Sequence, residues 1–217
     1  PAFLVNQVCG SGIRSVASGF QSIFKGDSKI VIAGGQENMS LAPHAIHLRD
    51  GKKLGDTELL DTMIKDGLWD AFHGYHMGVT AENVAEKFQV TRDEQDKFAL
   101  NSQKKTLKAQ KENKFKDEII DFKIKSKKAE INFNKDEHPR EGLNLDSLSR
   151  LKPVFKKDGT VTAGNASGIN DGAAAVTLMS GEEAEKRSLN KLVEIKSWAS
   201  CGVEPSLMGT GPIPSTK

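Results

Sequence analysis

The sequence predicts an α/β protein, and three features of its 217 residues carry that prediction. Within the first 33 residues an extended apolar segment, a glycine turn, a helical period and a second apolar segment follow one another, the order of a parallel, helix-covered sheet. A long irregular excursion then interrupts the pattern from about residue 39 to about residue 165. A run dense in small residues, Gly159 to Gly172, leads into a further apolar strand at Ala173 to Met179, so the flanks of the excursion resume one sheet.

Taken in order, residues 3–8 read as extended and Gly10-Ser11-Gly12 makes the turn. Ile13, Val16, Ala17, Phe20, Ile23 and Phe24 recur at helical spacing until Gly26 stops the helix. Ile30 to Ala33 has the length and apolarity of a buried strand and ends in Gly34-Gly35. From Met39 to about Asp70 regular periodicity gives way to isolated His, Pro, Gly and Met, the pattern of an irregular excursion with a function of its own. Val79 to Phe88 is helical, and Thr91-Arg92-Asp93-Glu94 has the spacing of a capping box that opens a helix through Phe98, Ala99, Ser102 and Leu107. Ile120, Phe122 and Ile124 alternate with polar residues, as do Ile131 and Phe133, which predicts two half-exposed paired strands. Glu182 to Arg187 reads as a short exposed helix and Leu192 to Ser197 as another strand.

Composition excludes several classes of function. Hydrophobic residues make up 37% and charged residues 28% of the chain, and no run approaches the roughly 18 apolar residues that span a membrane. No membrane association is expected. Thirty-one basic residues against 29 acidic ones leave a net charge of +2, too balanced for a nucleic-acid binder. Ten lysines against four acids between Lys104 and Lys128 form a local basic excess, read first as a solvated helix face. The two cysteines, Cys9 and Cys201, can build neither a disulfide framework nor a four-ligand zinc site. The chain opens at Pro1 without a leader pattern and ends in a proline-rich loop, so it is expected to be a central piece of a longer protein.

Cys9 stands at a strand-to-helix junction. A helix N-terminus favours the thiolate form of a cysteine there, and flanking Gly10 and Gly12 let an acyl thioester approach backbone N–H groups that can hold an oxyanion. That is the geometry for acyl transfer through a covalent intermediate, although an ordinary buried thiol fits the position too. Cys201 is assigned to packing. His44 with His47 and His73 with His76 form two H-x-x-H pairs that bind metal only if they lie on helices; no metal is expected, and His76 is assigned to a pocket lining.

Four strings in order, NQVCGSG at Asn6 to Gly12, GGQENMS at Gly34 to Ser40, GYHMGVTAENVA at Gly74 to Ala85, and TAGNASGINDGAA at Thr162 to Ala174, resemble the thiolase family essentially end to end. The HMG at His76 to Gly78 is similar to its short-chain, biosynthetic acetyl-CoA acetyltransferase branch. The resemblance implies a layered α/β/α core, incomplete here, with a large inserted loop domain. Residues 1–38 would belong to the N-terminal core. Residues 39–170 would form the loop domain over coenzyme A, with a tetramerisation loop near 39–61, and residues 171–217 would return to the core and begin the C-terminal one. It also implies that Cys9 accepts an acetyl group from one acetyl-CoA and that a second acetyl-CoA condenses onto it to give acetoacetyl-CoA and CoA, or the reverse thiolysis. Ser167 would hydrogen-bond the pantetheine arm, and Leu68, Met77, Phe155, Ala163, Gly168 and Met208 would wall its tunnel. Arg140 would lie near the nucleotide end and His76 near the reacting end. No cofactor beyond coenzyme A thioesters as substrates, a homotetramer when complete, and a cytoplasmic location complete the expectation.

The family's GHP, CxGG and NEAF strings, which supply the base, a second Cys and an Asn, do not occur in the chain. Without the base the Claisen step has no route, so these residues alone are expected to be inactive. Three other readings stay open at this point: a degradative 3-ketoacyl-CoA thiolase, a thiolase-like acyl-CoA or lipid binder that does no condensation, and a Cys-His hydrolase.

Overall fold

The structure, a computed structural model, describes residues 1–125 and 129–217. Lys127 and Lys128 of the basic stretch therefore lie outside the described residues. The chain divides into two compact units, Pro1–Met77 with Gly168–Lys217, and Gly78–Ser167.

In the first unit a 3-10 turn at Val8–Gly10 runs directly into helix α1, Ser11–Lys25, which ends at Gly26 as its periodicity predicts. Strand β1, Ile30–Asn38, follows and pairs with β8, Asp171–Met179, in a two-stranded sheet. The pairing is antiparallel, from Ile30 opposite Met179 to Asn38 opposite Asp171, which corrects the parallel order expected from the first 33 residues. The physical reason is that residues 3–7 form no strand, so β1 takes its partner from far along the chain rather than from the preceding segment. α1 packs on one face of this sheet. Ala17 and Ala33 are buried there, and Gly19 lets the helix approach so closely that a Cβ would stand 2.8 Å from Leu178 Cδ1 and 3.0 Å from Val31 Cγ1. The opposite face shows Ile32, 77% exposed, so β1 and β8 are strands but not the buried strands expected.

The excursion after β1 is built from very short elements. A 3-10 turn at Met39–Leu41 is followed by β2, His44–Ala45, paired antiparallel with β3, Leu60–Asp61. A π-helical turn, Met63–Leu68, leads into β4, Trp69–Asp70, which pairs with β5, Tyr75–His76. After β8 comes the expected short helix, α5, at Gly181–Lys186. Leu192 to Ser197 lies outside any strand, a second correction: the segment alternates in sequence but has no paired neighbour among the described residues. A 3-10 stretch at Pro205–Thr210 and helix α6, Pro212–Thr216, close the unit.

The second unit is organised by helices. α2, Met77–Lys87, supplies most of its length to this unit, and α3, Arg92–Lys111, opens on the predicted capping box, with Thr91 accepting from Glu94 N and Glu94 reaching back to Thr91 N. β6, Phe122–Lys125, and β7, Glu130–Phe133, pair antiparallel with Phe122 opposite Phe133 and Ile124 opposite Ile131, as the alternation predicts. A short helix α4, Leu145–Ser149, buries Leu148 completely. Leu148, Leu100, Ala85 and Val161 form the apolar centre, and Glu82, Asp96 and Thr162 are buried among them.

Candidate active site

Cys9 is exposed and sits in the middle residue of the turn that precedes α1. Side chains of its neighbours tie that turn down. Asn6 Oδ1 accepts from Val8 N at 2.9 Å, Ser11 Oγ accepts from Gln7 N at 2.8 Å and donates to Val8 O at 2.7 Å, and Gly10 N donates to Gln7 O at 3.0 Å. Val8 is held at a φ of 47°, a left-handed conformation that a β-branched residue adopts only when its surroundings compel it. No side chain caps the N-terminus of α1, and its first turn carries no acidic residue. The helix dipole there is therefore not opposed by a carboxylate of its first turn, and an oxyanion formed beside it is favoured. An exposed sulfur on so constrained a turn can attack a carbonyl carbon brought to it.

In the same unit the β4–β5 hairpin collects Leu68, His76 and Met77. Leu68 ends the π-helical turn, Trp69 stands opposite His76 in the ladder, and Met77 begins α2. The hairpin turn is pinned by Asp70, 3% exposed, whose carboxylate accepts from Phe72 N and meets His73 Nδ1 at 2.8 Å. Burial raises the Asp70 carboxyl, but the Phe72 N–H, the His73 ring and N–H and the His73 charge outweigh it, leaving it below its ordinary value. The His73 ring stacks on Tyr75 at 5.4 Å, and its Nε2 stands 3.9 Å from Glu204 Oε1, just ahead of the turn that carries Met208. His44 and His76 lie on strands and His73 on the hairpin turn, so neither H-x-x-H pair has helical geometry. Among the described residues no group of three or more His, Cys, Asp or Glu could hold a metal ion. Cys201 is exposed rather than packed, a third correction, because the strand expected to bury it does not form.

The second unit holds Arg140, Phe155, Ala163 and Ser167. Phe155 lies against Gly78 so closely that any Cβ there would occupy the ring, which gives the glycine of HMG a steric reason. Ala163 and Ser167 are exposed on the loop that follows Thr162. Arg140 is exposed, and its backbone N–H donates to Gln103 Oε1 at 2.9 Å. Gly168 opens the return to the first unit.

Two sets of residues escaped the sequence reading. Asp171 of β8 accepts from Ser40 Oγ at 2.6 Å and Ser40 N at 3.0 Å, joining the GGQENMS and NASGINDG strings across 131 positions. The Ser40 hydroxyl and then its N–H hold the Asp171 carboxyl below its ordinary value against burial, which raises it, and the Met39 N–H adds a smaller lowering. Glu82 and Asp96 are the other set. Their signal was present: Gly78, Glu82 and Ala85 share one helical face, so a carboxylate falls on the buried side of α2.

Comparison with known proteins bears on all of these strings. The family described as thiolase, N-terminal domain, matches residues 1–182. An acetyl-CoA acetyltransferase of Rhizobium meliloti is 58% identical over 216 residues, which is 100% of this chain and 55% of that protein. The crystal structure of human mitochondrial 3-ketoacyl-CoA thiolase superposes with a TM-score of 0.93 at 42% identity, covering 100% of this chain and 55% of that one. That of the Bacillus anthracis acetyl-CoA acetyltransferase does so with a TM-score of 0.90 at 43% identity, covering 98% and 54%. The chain thus spans about half the length of the relatives it matches.

Proposed function

The chain belongs to the thiolase family, and from that premise we propose that it carries the nucleophilic half of an acetyl-CoA C-acetyltransferase, with Cys9 as the nucleophile. The observation that carries the reading is the exposed Cys9 sulfur on a constrained turn at the start of α1, inside NQVCGSG. In the forward direction the Cys9 thiolate attacks the thioester carbonyl of acetyl-CoA, and CoA departs as its thiol after taking up a proton. A base then removes a methyl proton from a second acetyl-CoA. The resulting carbanion attacks the acetyl-cysteine, acetoacetyl-CoA forms, and the Cys9 sulfur is released as thiolate. GHP, CxGG and NEAF do not occur among these residues, so the base and its partners are assigned to the part of the family's length that the chain does not span.

Around that chemistry, residues 39–170 act as the loop domain over coenzyme A. Ser167 fixes the pantetheine arm, Leu68, Met77, Phe155, Ala163, Gly168 and Met208 line its path, Arg140 meets the nucleotide phosphates, and His76 stands by the reacting end. Coenzyme A thioesters are substrates and no further cofactor is needed. The whole protein works as a homotetramer in the cytoplasm, its contacts made by residues 39–61. Among the described residues no helix is long and apolar enough to cross a membrane.

The test uses the whole polypeptide. Incubation with isotopically labelled acetyl-CoA followed by peptide mapping is expected to find the acetyl group on Cys9, and Cys9→Ser is expected to lower turnover about a thousand-fold or more. Label on any other residue, or near-normal turnover of the variant, sinks the reading. The second reading is a degradative 3-ketoacyl-CoA thiolase, since the human mitochondrial enzyme superposes as well as the acetyltransferases do. It predicts a higher kcat/KM on long-chain 3-ketoacyl-CoA than on acetoacetyl-CoA.

A further inference from the structure

We propose that Glu82 is a positioning residue for coenzyme A: its buried carboxylate holds the loop from Thr160 to Ser167 in the shape that presents Ala163 and Ser167 to the pantetheine arm. The inference rests on the reading of those two residues as coenzyme A contacts, and it adds a group that touches no substrate.

Glu82 projects from α2 and is 4% exposed. Its Oε1 accepts from Thr160 N at 2.9 Å and Val161 N at 2.8 Å, and its Oε2 accepts from Thr160 N and Thr160 Oγ1, each at 2.9 Å. Every one of these contacts comes from a donor, and three of them come from backbone N–H groups of consecutive residues. Buried N–H groups of a loop have no ladder partner of their own, so the loop can enter the interior only where acceptors wait for it. A carboxylate supplies two such oxygens in one side chain, and charge strengthens each bond. The approach is tight. A Cβ at Gly159 would collide with Glu82 Oε1, so the loop reaches this carboxylate only because its entry residue lacks a side chain.

The same loop is gripped from α3. Gln95 Nε2 donates to Thr160 Oγ1 at 2.9 Å, and Asn165 Nδ2 donates to Thr160 O at 3.1 Å and to Asp96 Oδ1 at 3.0 Å. Asn165 Oδ1 takes the Thr162 N–H at 2.8 Å, closing the bend. Asp96 is in turn held by Arg92 Nε at 2.8 Å, and Arg92 Nη2 donates to the carbonyls of Leu148 and Leu151 at 2.6 and 3.1 Å. Thr160, Val161, Thr162 and Asn165 thus spend their polar groups on the interior, while Ala163, Ala166 and Ser167 face outward. The division gives the loop one face for anchorage and one for ligand. Glu82 is its hub because one carboxylate satisfies two adjacent backbone donors.

Replacing Glu82 by Gln keeps the volume but leaves one acceptor oxygen for two N–H groups and a hydroxyl, and turns an amide group toward donors. The loop is then held loosely without any loss at Cys9. In the whole polypeptide, Glu82→Gln is expected to raise KM for CoA in acetoacetyl-CoA thiolysis about five- to ten-fold, with kcat and the rate of Cys9 alkylation by iodoacetamide within about two-fold of wild type. Desulfo-CoA binding by calorimetry should weaken in parallel. Wild-type KM in the variant, or a fall in kcat and alkylation with KM unchanged, overturns the positioning role. If Glu82→Gln fails to fold, Glu82→Asp decides, since it keeps the charge but withdraws the carboxylate from the Thr160 and Val161 N–H groups: a raised KM supports the role and an unchanged one overturns it. Absence of desulfo-CoA binding in the wild type would instead sink the coenzyme A reading itself, whereas binding that Glu82→Gln leaves untouched sinks only the inference.

Discussion

Val8, at a φ of 47°, sits one residue before Cys9, in a conformation that costs a β-branched residue about 1–3 kcal/mol. Asn6 and Ser11 hold it there through side-chain bonds to its N–H and its carbonyl. The position of Cys9 was legible because glycines after an apolar segment and before a helical period can only be a turn. The strain was not, since no residue type announces it. Asp171 offers a prediction at the same scale. Its folded carboxyl is held below the ordinary 3.8 by the Ser40 hydroxyl and N–H. A lowered acid contributes stability that is full above the unfolded value and disappears as pH falls through the folded one. The melting temperature of wild type should therefore exceed that of Asp171→Asn at neutral pH, and the gap should close below about pH 4. A gap that does not narrow as pH falls below 3.8 contradicts this account.

Among the elements, α3 shows how far local signals reach. Its capping box could be read directly, because Thr91 and Glu94 are reciprocal partners within one turn and need nothing from the rest of the chain. Thr91→Ala is expected to cost about 1 kcal/mol, a fall of about 2–4 °C in melting temperature by scanning calorimetry. The β6–β7 pair was legible for the same reason, its partners being close in sequence. β1 was read correctly as a strand and incorrectly as parallel, because its true partner, β8, begins at Asp171 and no pattern within residues 1–40 points there. Leu192 to Ser197 shows the opposite limit: alternation predicts a strand there, but no neighbour among the described residues completes it.

For the molecule as a whole, the four family strings carried most of the reading, and the remainder depended on contacts between distant segments. Both units show large apolar side chains. Ile32 on the open sheet face is 77% exposed, Leu192 and Val193 are 89% and 86%, and Phe98 on α3 is 78%. Patches of this kind ordinarily mark surfaces that another part of a protein or a partner covers. These 217 residues expressed alone are expected to bind 1-anilinonaphthalene-8-sulfonate strongly and to self-associate in sedimentation experiments; weak dye fluorescence from a monodisperse species would refute this.

The bond between Ser40 and Asp171 spans 131 positions, and every rung of the β1–β8 ladder, from Asn38 opposite Asp171 onward, joins residues still farther apart. Closing a loop of that length costs about 4 kcal/mol from its length-dependent entropy alone, whereas the helices and the β6–β7 hairpin close within a few turns of chain. Synthesis must therefore run past Asp171 before the sheet beneath α1 can assemble. Until then α1 and the turn that carries Cys9 lack the sheet that α1 packs on, and this part of the fold forms as a late event rather than an early one.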